Sequence, residues 1–193
     1  PDLDQFYLKR SFHPTHYIYV FHGMISTHMA YRKGAFDHYD TIFCVGPHHE
    51  AEIQQTEKFY DLPAKRLIKH GYGRLCTLME DNRAKRLTVP PFYENNKARV
   101  LIAPSWGPTG LLEVCGIELI EVLLSIGHHV TVRPHPQTRR NYPEKLEAIK
   151  SKFQSNRGFV YEDNNLSWES FHSAHIMISD WSGAALEFAF SLE

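Results

Sequence analysis

The chain has 193 residues, 42% of them hydrophobic and 13% aromatic, which is enough to bury the core of one large or two small domains. Lysine and arginine number 21 against 22 aspartate and glutamate, so the formal net charge is -1. This balance excludes a general electrostatic attraction to nucleic acid or to an anionic membrane. Nucleic acid is therefore not an expected partner.

The three cysteines, Cys44, Cys76 and Cys115, are odd in number and widely spaced. They fit neither a disulfide framework nor a paired CxxC metal site, which predicts reduced thiols in an intracellular protein. No apolar run approaches the length of a membrane span, and no signal peptide is visible. Because the chain starts at Pro1 and stops within a predicted helix, we expect an incomplete fragment of a longer protein.

Short apolar runs alternate with turns and helix-like segments along the whole chain. The runs predicted as strands are residues 17–21, 41–45, 67–68, 100–103, 130–133, 159–161 and 176–178. Helices are predicted at residues 48–60, 111–126 and 144–153, and after each of the last two strands. Strands that alternate with helices in this way indicate βαβ units and parallel sheets with helices on both faces.

The pattern breaks at residues 82–98, which contain two prolines, paired asparagines and mixed charge. We interpret this stretch as a linker between residues 1–81 and residues 99–193. The predicted fold class is α/β, with two Rossmann-like parallel-sheet units and a cleft between them.

His22-Gly23 directly follows the first predicted strand. In open parallel sheets, ligands bind at the carboxyl ends of the strands, so residues in this position are candidates for function. A histidine beside a glycine that permits close backbone approach is suited to act as a general base. The alternative is a turn histidine that only bonds the backbone.

The segment Arg-Pro-His-Pro, residues 133–136, follows the fifth predicted strand. Its prolines fix the backbone around His135, and Arg133 supplies a fixed cation suited to phosphate. The alternative is a rigid turn with incidental charge. Both interpretations stay open on the sequence alone.

A third candidate site follows the last strand and contains Ser179, Asp180, Ser182 and Gly183. Here a strand delivers small residues to a helix start, where unpaired N–H groups and the helix dipole favour an anion. Glu187 lies one helical turn further on, near enough to accept hydrogen bonds from ribose hydroxyls. Asp180 or Ser182 could equally be a helix N-cap, which is compatible with phosphate binding.

Other chemistry has less support. The 13 histidines include His13, His16 and the pair His48-His49, but no cysteine or carboxylate joins them at ligand spacing, so no metal site is predicted. The absence of a Walker lysine motif and of GxGxxG leaves ATP hydrolysis and NAD binding unsupported. No cofactor is expected.

Taken together, these residues resemble the CDP-glycerol glycerophosphotransferase family, the teichoic-acid and capsule polymerases with a GT-B-like fold. The similar motifs are the His-Gly pair, the Arg-Pro-His-Pro segment and the Ser-Asp-x-Ser element with its downstream acid; residues 71–74 and 103–106 are weaker matches. The motifs keep the family's order over nearly the whole chain. The departures are Gly73 in place of proline, Cys76 in place of aspartate, Gly107 in place of arginine, and Glu187 where aspartate is commoner.

The resemblance implies a transferase that moves glycerol phosphate from a CDP-activated donor to a polymer or lipid-linked acceptor of the cell envelope. His22 and His135 would be catalytic and face each other across the cleft, with residues 1–81 on the acceptor side and residues 99–193 binding the donor. The residues implied to bind substrate are Gly23, Arg133, Ser179, Asp180, Ser182, Gly183 and Glu187. The resemblance also implies a cytoplasmic enzyme, held at the inner face of the cell membrane through regions outside this chain.

Two alternatives remain open. The spacing from Ser182-Gly183 to Glu187 also resembles the UDP-GlcNAc 2-epimerase family and sugar-transferring GT-B enzymes, in which the serine and glycine amides hold the diphosphate. That class needs further acids in the amino-terminal half, and no convincing set is present. A non-catalytic nucleotide-binding module is the other alternative, favoured if both histidines prove buried and apart.

Overall fold

The computed structural model describes residues 3–85, 97–163 and 167–191, and the chain forms two compact units that divide between Gly73 and Arg74. Each unit has its own parallel sheet with helices packed on it. The α/β class with two parallel sheets, predicted from the alternation of apolar runs and helices, is confirmed and is consistent with a GT-B-like fold.

The first unit contains three parallel strands in the order β1-β2-β3. Its elements are β1 Ile18–Val20, α1 Thr27–Ala30, β2 Thr41–Cys44, α2 Pro47–Phe59 and β3 Arg66–Lys69. The central strand is buried because Ile42 and Cys44 pack with Phe21 and Ile53 in the core. Helix α2 begins at Pro47, where the fixed φ of proline and its missing N–H suit the first helical position.

The described residues of the second unit form four parallel strands in the order β6-β5-β4-β7. Its elements are α3 Gly73–Lys85, β4 Arg99–Ile102, α4 Leu111–Ser125, β5 His129–Val132, α5 Pro136–Asn141, α6 Pro143–Phe153, β6 Phe159–Tyr161, α7 Glu169–Ser173, β7 Ile176–Ile178 and α8 Gly183–Ser191. Along β4, Val100 and Ile102 face a core shared with α4 and α6, whereas Leu101 faces one shared with α3, α7 and α8. Burial on both faces explains the continuous apolar run of this strand.

The structure differs at both ends from the linker predicted at residues 82–98. Residues 82–85 complete α3, where the buried Asn82 side chain donates to the carbonyl of Ser191 at 2.6 Å, and Ala98 lies in the core of the second unit. Leu78 of α3 packs into the same unit, and the compact units divide directly after Gly73, the first residue of this helix. Residues 86–96 lie outside the described residues. The assignment of residues 1–81 and 99–193 to acceptor-side and donor-binding domains stays a prediction.

The three cysteines are free thiols in different environments. Cys44 is buried in β2, and burial raises the pKa of its thiol to about 11. Cys115 is half-buried in α4, and Cys76 is exposed on α3.

None of the helices in the described part of the chain is both long and apolar enough to cross a membrane.

Candidate functional site

Three loops of the second unit meet at the carboxyl edge of its sheet. They follow β4, β5 and β7, which are neighbours in the sheet and parallel. The loop after β7 bonds the loop after β4, because the Ser179 hydroxyl donates to the carbonyl of Ala103 at 2.7 Å. The third motif is thus joined to the loop that follows β4, as expected for the ligand-binding edge of a parallel sheet.

Asp180 fastens two of these loops together. Its Oδ1 accepts the backbone N–H of Ser105 at 2.6 Å, and its Oδ2 accepts that of Leu111, the first residue of α4, at 3.4 Å. A carboxylate at the amino end of a helix is also stabilised by the helix dipole. The sequence predicted Asp180 as a substrate-binding residue or a cap, and the structure gives it a cross-loop role; substrate contact stays a prediction.

Ser182 and Gly183 form the start of α8, as the sequence predicted. The Ser182 hydroxyl accepts the N–H of Ala184 at 3.1 Å and donates to the Ala103 carbonyl at 3.3 Å. A Cβ placed on Gly183 would meet nothing within 4 Å, so the first turn of the helix borders open space. Capping satisfies one helix donor and leaves this turn accessible to an anion.

His135 is built into the start of α5. Its Nδ1 accepts the backbone N–H of Gln137 at 3.1 Å, which makes the ring the N-cap of this helix. The proton of the neutral ring is therefore assigned to Nε2. Burial lowers the pKa of His135, and the nearby carboxylates of Asp180 and Glu113 oppose part of that shift. The ring is thus a neutral donor through Nε2–H near pH 7, with the Trp106 ring stacked at a centroid distance of 6.2 Å.

Arg133 is buried and paired within the second unit. Its Nη1 donates to Glu162 Oε1 at 3.1 Å and to the carbonyl of Ser167 at 2.7 Å. The guanidinium also lies over the Phe171 ring, 5.0 Å from its centroid. These contacts favour a structural role that ties the end of β5 to α7, whereas the predicted phosphate contact stays a prediction.

Glu187 is also paired. Its Oε1 accepts the Nε–H of Arg74 in α3 at 2.9 Å, and the Arg74 guanidinium lies 4.3 Å from the centroid of the Trp168 ring. The carboxylate predicted to accept from a ribose is thus engaged with a cation of its own unit. Its contact with a ribose stays a prediction.

Glu113 belongs to this edge but was missed by sequence reasoning. It is 7% exposed in the first turn of α4, and its Oε1 accepts the hydroxyl of Thr138 in α5 at 2.8 Å. An acid in the first turn of a helix is common, because the dipole favours it. No feature of the sequence therefore distinguished Glu113 from an ordinary helix acid.

In the first unit, His22 and Gly23 follow β1 with little around them. The His22 ring is exposed, and the hydrogen bond that His22 makes among the described residues is to its backbone, where the Tyr72 hydroxyl donates to the carbonyl at 3.1 Å. A Cβ on Gly23 would meet nothing within 4 Å. Both ring nitrogens of His22 are accordingly without a structural task in this part of the chain.

Side chains of α2 hold the loop that carries His22. His48 Nε2 and His49 Nε2 each lie 3.0 Å from a backbone oxygen, that of Met24 and that of Ile25 respectively. Glu52 accepts the backbone N–H of Thr27 at 2.6 Å. The histidine pair therefore braces the loop, which explains its place at the start of α2.

Within residues 3–85, 97–163 and 167–191, no group of three or more His, Cys, Asp or Glu side chains is arranged to hold a metal ion. His22 belongs to the first unit and His135 to the second. That they face one cleft stays a prediction.

No known protein family matches this sequence, and no curated protein matches it. Among solved structures, the chain is similar to the wall teichoic acid polymerase TagF, soaked with CDPG, at 15% identity and a TM-score of 0.44. The alignment covers 78% of this chain and 35% of that chain, so this chain spans about a third of its length. Function is therefore inferred from the residues at the two sheet edges.

Proposed function

We propose that this chain is part of a transferase that moves glycerol phosphate from a CDP-activated donor to a polymer or lipid-linked acceptor of the cell envelope. The observation that carries this proposal is an open helix start beside a neutral, donating histidine at one sheet edge. Ser182 caps α8 and Gly183 leaves its first turn unobstructed, while His135 has only Nε2–H to offer a ligand. Together these donors suit the diphosphate of a nucleotide-activated substrate.

The neutral state of His135 fits this task. Burial keeps the imidazole uncharged near pH 7, so Nε2–H can donate to a phosphate oxygen throughout the reaction. As negative charge grows on the phosphate oxygens, that hydrogen bond strengthens. The amino end of α8 adds a fixed positive potential at the same edge.

His22 is the proposed general base. It takes the proton of the acceptor hydroxyl while the hydroxyl oxygen forms a bond to the phosphorus that carries glycerol. The bond from this phosphorus to the oxygen of CMP breaks, and CMP leaves with the electron pair. Phosphoryl transfer needs mainly positioning and charge stabilisation from a protein, which an exposed base and a fixed donor site supply.

The sugar-transferring alternative is less well supported. That class needs further acids in the amino-terminal half, and the sequence offers no convincing set there. We place the reaction in the cytoplasm, at the inner face of the cell membrane, with membrane association through regions outside this chain.

The proposal is tested by titrating the full-length protein with CDP-glycerol, CDP-ribitol and UDP-GlcNAc in parallel calorimetric experiments. CMP release is then measured with acceptor supplied. We expect CDP-glycerol to bind and to be turned over. Preferential binding of UDP-GlcNAc would favour the sugar-transferring class, and CDP-glycerol binding without CMP release would favour a non-catalytic module.

Two substitutions of His135 separate its chemical and structural tasks. His135→Asn keeps an acceptor near the Nδ1 position and removes Nε2, so we expect stability to hold and turnover to fall about 10²–10³-fold. His135→Gln keeps an N–H near the Nε2 position and loses the cap, so we expect a loss of about 1 kcal/mol in unfolding free energy with more turnover retained. CMP release and urea unfolding measure both; normal turnover in the Asn variant would remove Nε2 from the mechanism.

A further inference from the structure

We propose that Glu113 is a positioning residue for His135, fixing the helix that this histidine caps. The inference rests on the proposed function, because that function gives His135 its part in the reaction. Glu113 lies in α4 and His135 at the start of α5, so the two belong to different elements of the same edge.

A buried hydrogen bond joins α4 to α5. Glu113 is 7% exposed and Thr138 is 0% exposed, and 2.8 Å separates the carboxylate Oε1 from the hydroxyl that donates to it. Burying a carboxylate is unfavourable unless hydrogen bonds and nearby dipoles compensate. This buried bond therefore gives the start of α5 a defined place against α4.

Two hydrogen bonds within the first turn of α5 connect Thr138 and Gln137 to His135. The Thr138 N–H donates to the carbonyl of His135 at 3.0 Å, and the Gln137 N–H donates to its Nδ1 at 3.1 Å. The first turn of α5 is thus organised around both the backbone and the ring of His135. A shift of Thr138 would be transmitted directly to the imidazole.

The carboxylate of Glu113 occupies space beside Gly110. A Cβ on Gly110 would lie only 2.3 Å from Glu113 Oε2, so the carboxylate lies where a side chain at position 110 would be. Oε2 is buried and has no hydrogen-bond partner among the described residues. The glycine before α4 therefore leaves room for the acid to reach Thr138.

Glu113 also acts on His135 through its charge. The charged groups that act on the His135 ring are Asp180, from the turn before α8, and Glu113, from α4. Both carboxylates favour the protonated ring and oppose the effect of burial. Asp180 is held by two backbone N–H groups, whereas Glu113 is held through the hydroxyl of Thr138. A change at Glu113 should therefore alter the His135 titration.

The test compares Glu113→Gln and Thr138→Val with Glu118→Gln, a matched control at an exposed position of the same helix. The His135 ring is titrated by NMR in the whole chain, its signal identified as the one lost in His135→Asn. Glu113→Gln keeps an acceptor for Thr138 but removes the charge, so the pKa of His135 should fall. Thr138→Val keeps the charge but breaks the bond, so the Gln137 amide should exchange faster.

Turnover should fall in both variants, up to on the order of 100-fold for a displaced imidazole, and should not change in Glu118→Gln. An unchanged His135 titration in Glu113→Gln, or unchanged Gln137 exchange in Thr138→Val, would overturn the inference. If Glu113→Gln does not fold, Thr138→Val decides alone. Altered NMR behaviour together with a wild-type protein that releases no CMP would reject the proposed function but leave the coupling of Glu113 to His135 in place.

Discussion

His22 and His135 both follow a strand, but they differ in what holds them. The loop of His22 is braced by His48 and His49 of α2, which bond its backbone and leave the His22 ring exposed. The His135 ring, by contrast, has a structural role of its own, because its Nδ1 caps α5.

This difference decides which proton chemistry each ring can perform. A ring without a structural bond can take up a proton on either nitrogen, which suits a base. A ring with Nδ1 committed offers only Nε2–H, which suits a fixed donor. Changes at His22 should therefore affect chemistry alone, whereas changes around His135 should affect chemistry and stability together.

The largest expected effect is at His22. His22→Ala removes the proposed base, so turnover should fall roughly 10²–10⁴-fold, with donor affinity and unfolding free energy nearly unchanged. CMP release from CDP-glycerol measures the first and calorimetry the second. His13→Ala, at another exposed histidine of the first unit, is the control. Near-normal turnover in the His22 variant would show that this histidine is not the general base.

Variants of Arg133 test whether this arginine has a structural role at the carboxyl edge of the second unit's sheet. Arg133→Met leaves the half-buried Glu162 without its cation, so the unfolding free energy should fall by about 3 kcal/mol. Adding Glu162→Leu should restore part of that loss, because the uncompensated charge is removed. Urea unfolding measures both variants. Weakened donor binding with stability unchanged would instead support the phosphate contact predicted from the sequence.

Ser182 tests whether the start of α8 binds the donor. Ser182→Ala should weaken donor binding by about 1–2 kcal/mol, the range for one charge-assisted hydrogen bond. Ser191→Ala is the control in the same helix, since its hydroxyl donates to the carbonyl of Phe188 at the other end of α8 and does not cap the helix start. Calorimetric titration with CDP-glycerol measures both. Equal affinities in wild type and Ser182→Ala would show that the serine is only a cap.

The smallest effect expected is the pH dependence of stability that His49, which bonds the loop carrying His22, gives the protein. Burial lowers the pKa of His49, so between its folded value and about 6.5 the unfolded chain binds more protons. Stability from neutral His49 is therefore complete above about pH 6.5 and is lost as pH falls through the folded pKa, by at most about 1.4 kcal/mol per pH unit.

Urea unfolding at several pH values measures this slope. His135 contributes a slope of the same sign, because burial lowers its pKa too. His49→Gln should therefore flatten the pH dependence only in part. An identical slope in wild type and His49→Gln would remove His49 from the acid response.

The strands were predictable because short apolar runs bounded by turn residues are a clear signal in the sequence, and the run of β4 is also buried on both faces. The strand predicted at 159–161 has those bounds in the structure, and the helix predicted at 48–60 spans Pro47–Phe59. The short helices α1 and α5 were not predicted, because four and six residues are too few to show an apolar period. Helix α3 was not predicted either, because its apolar spacing is weak, and its end falls within the predicted linker because two prolines follow it.

The site was predictable as a set of positions but not as a set of partners. Strand ends located His22, His135 and the start of α8. That Arg133 pairs with Glu162, or Arg74 with Glu187, depends on contacts between residues far apart in the chain. No local spacing encodes such pairs, so two side chains expected to meet substrate are engaged with their own unit.

The three cysteines differ in exposure, which allows one of them to be labelled selectively. The thiolate is the reactive form, and a thiol buried with a pKa of about 11 is almost entirely protonated at pH 7, so Cys44 should resist maleimide reagents. Cys76 lies exposed near the start of α3, three residues beyond the point where the two compact units divide. A dye attached to this native thiol would report on the junction without any engineered cysteine, with a Cys115→Ala background to keep the label at one position.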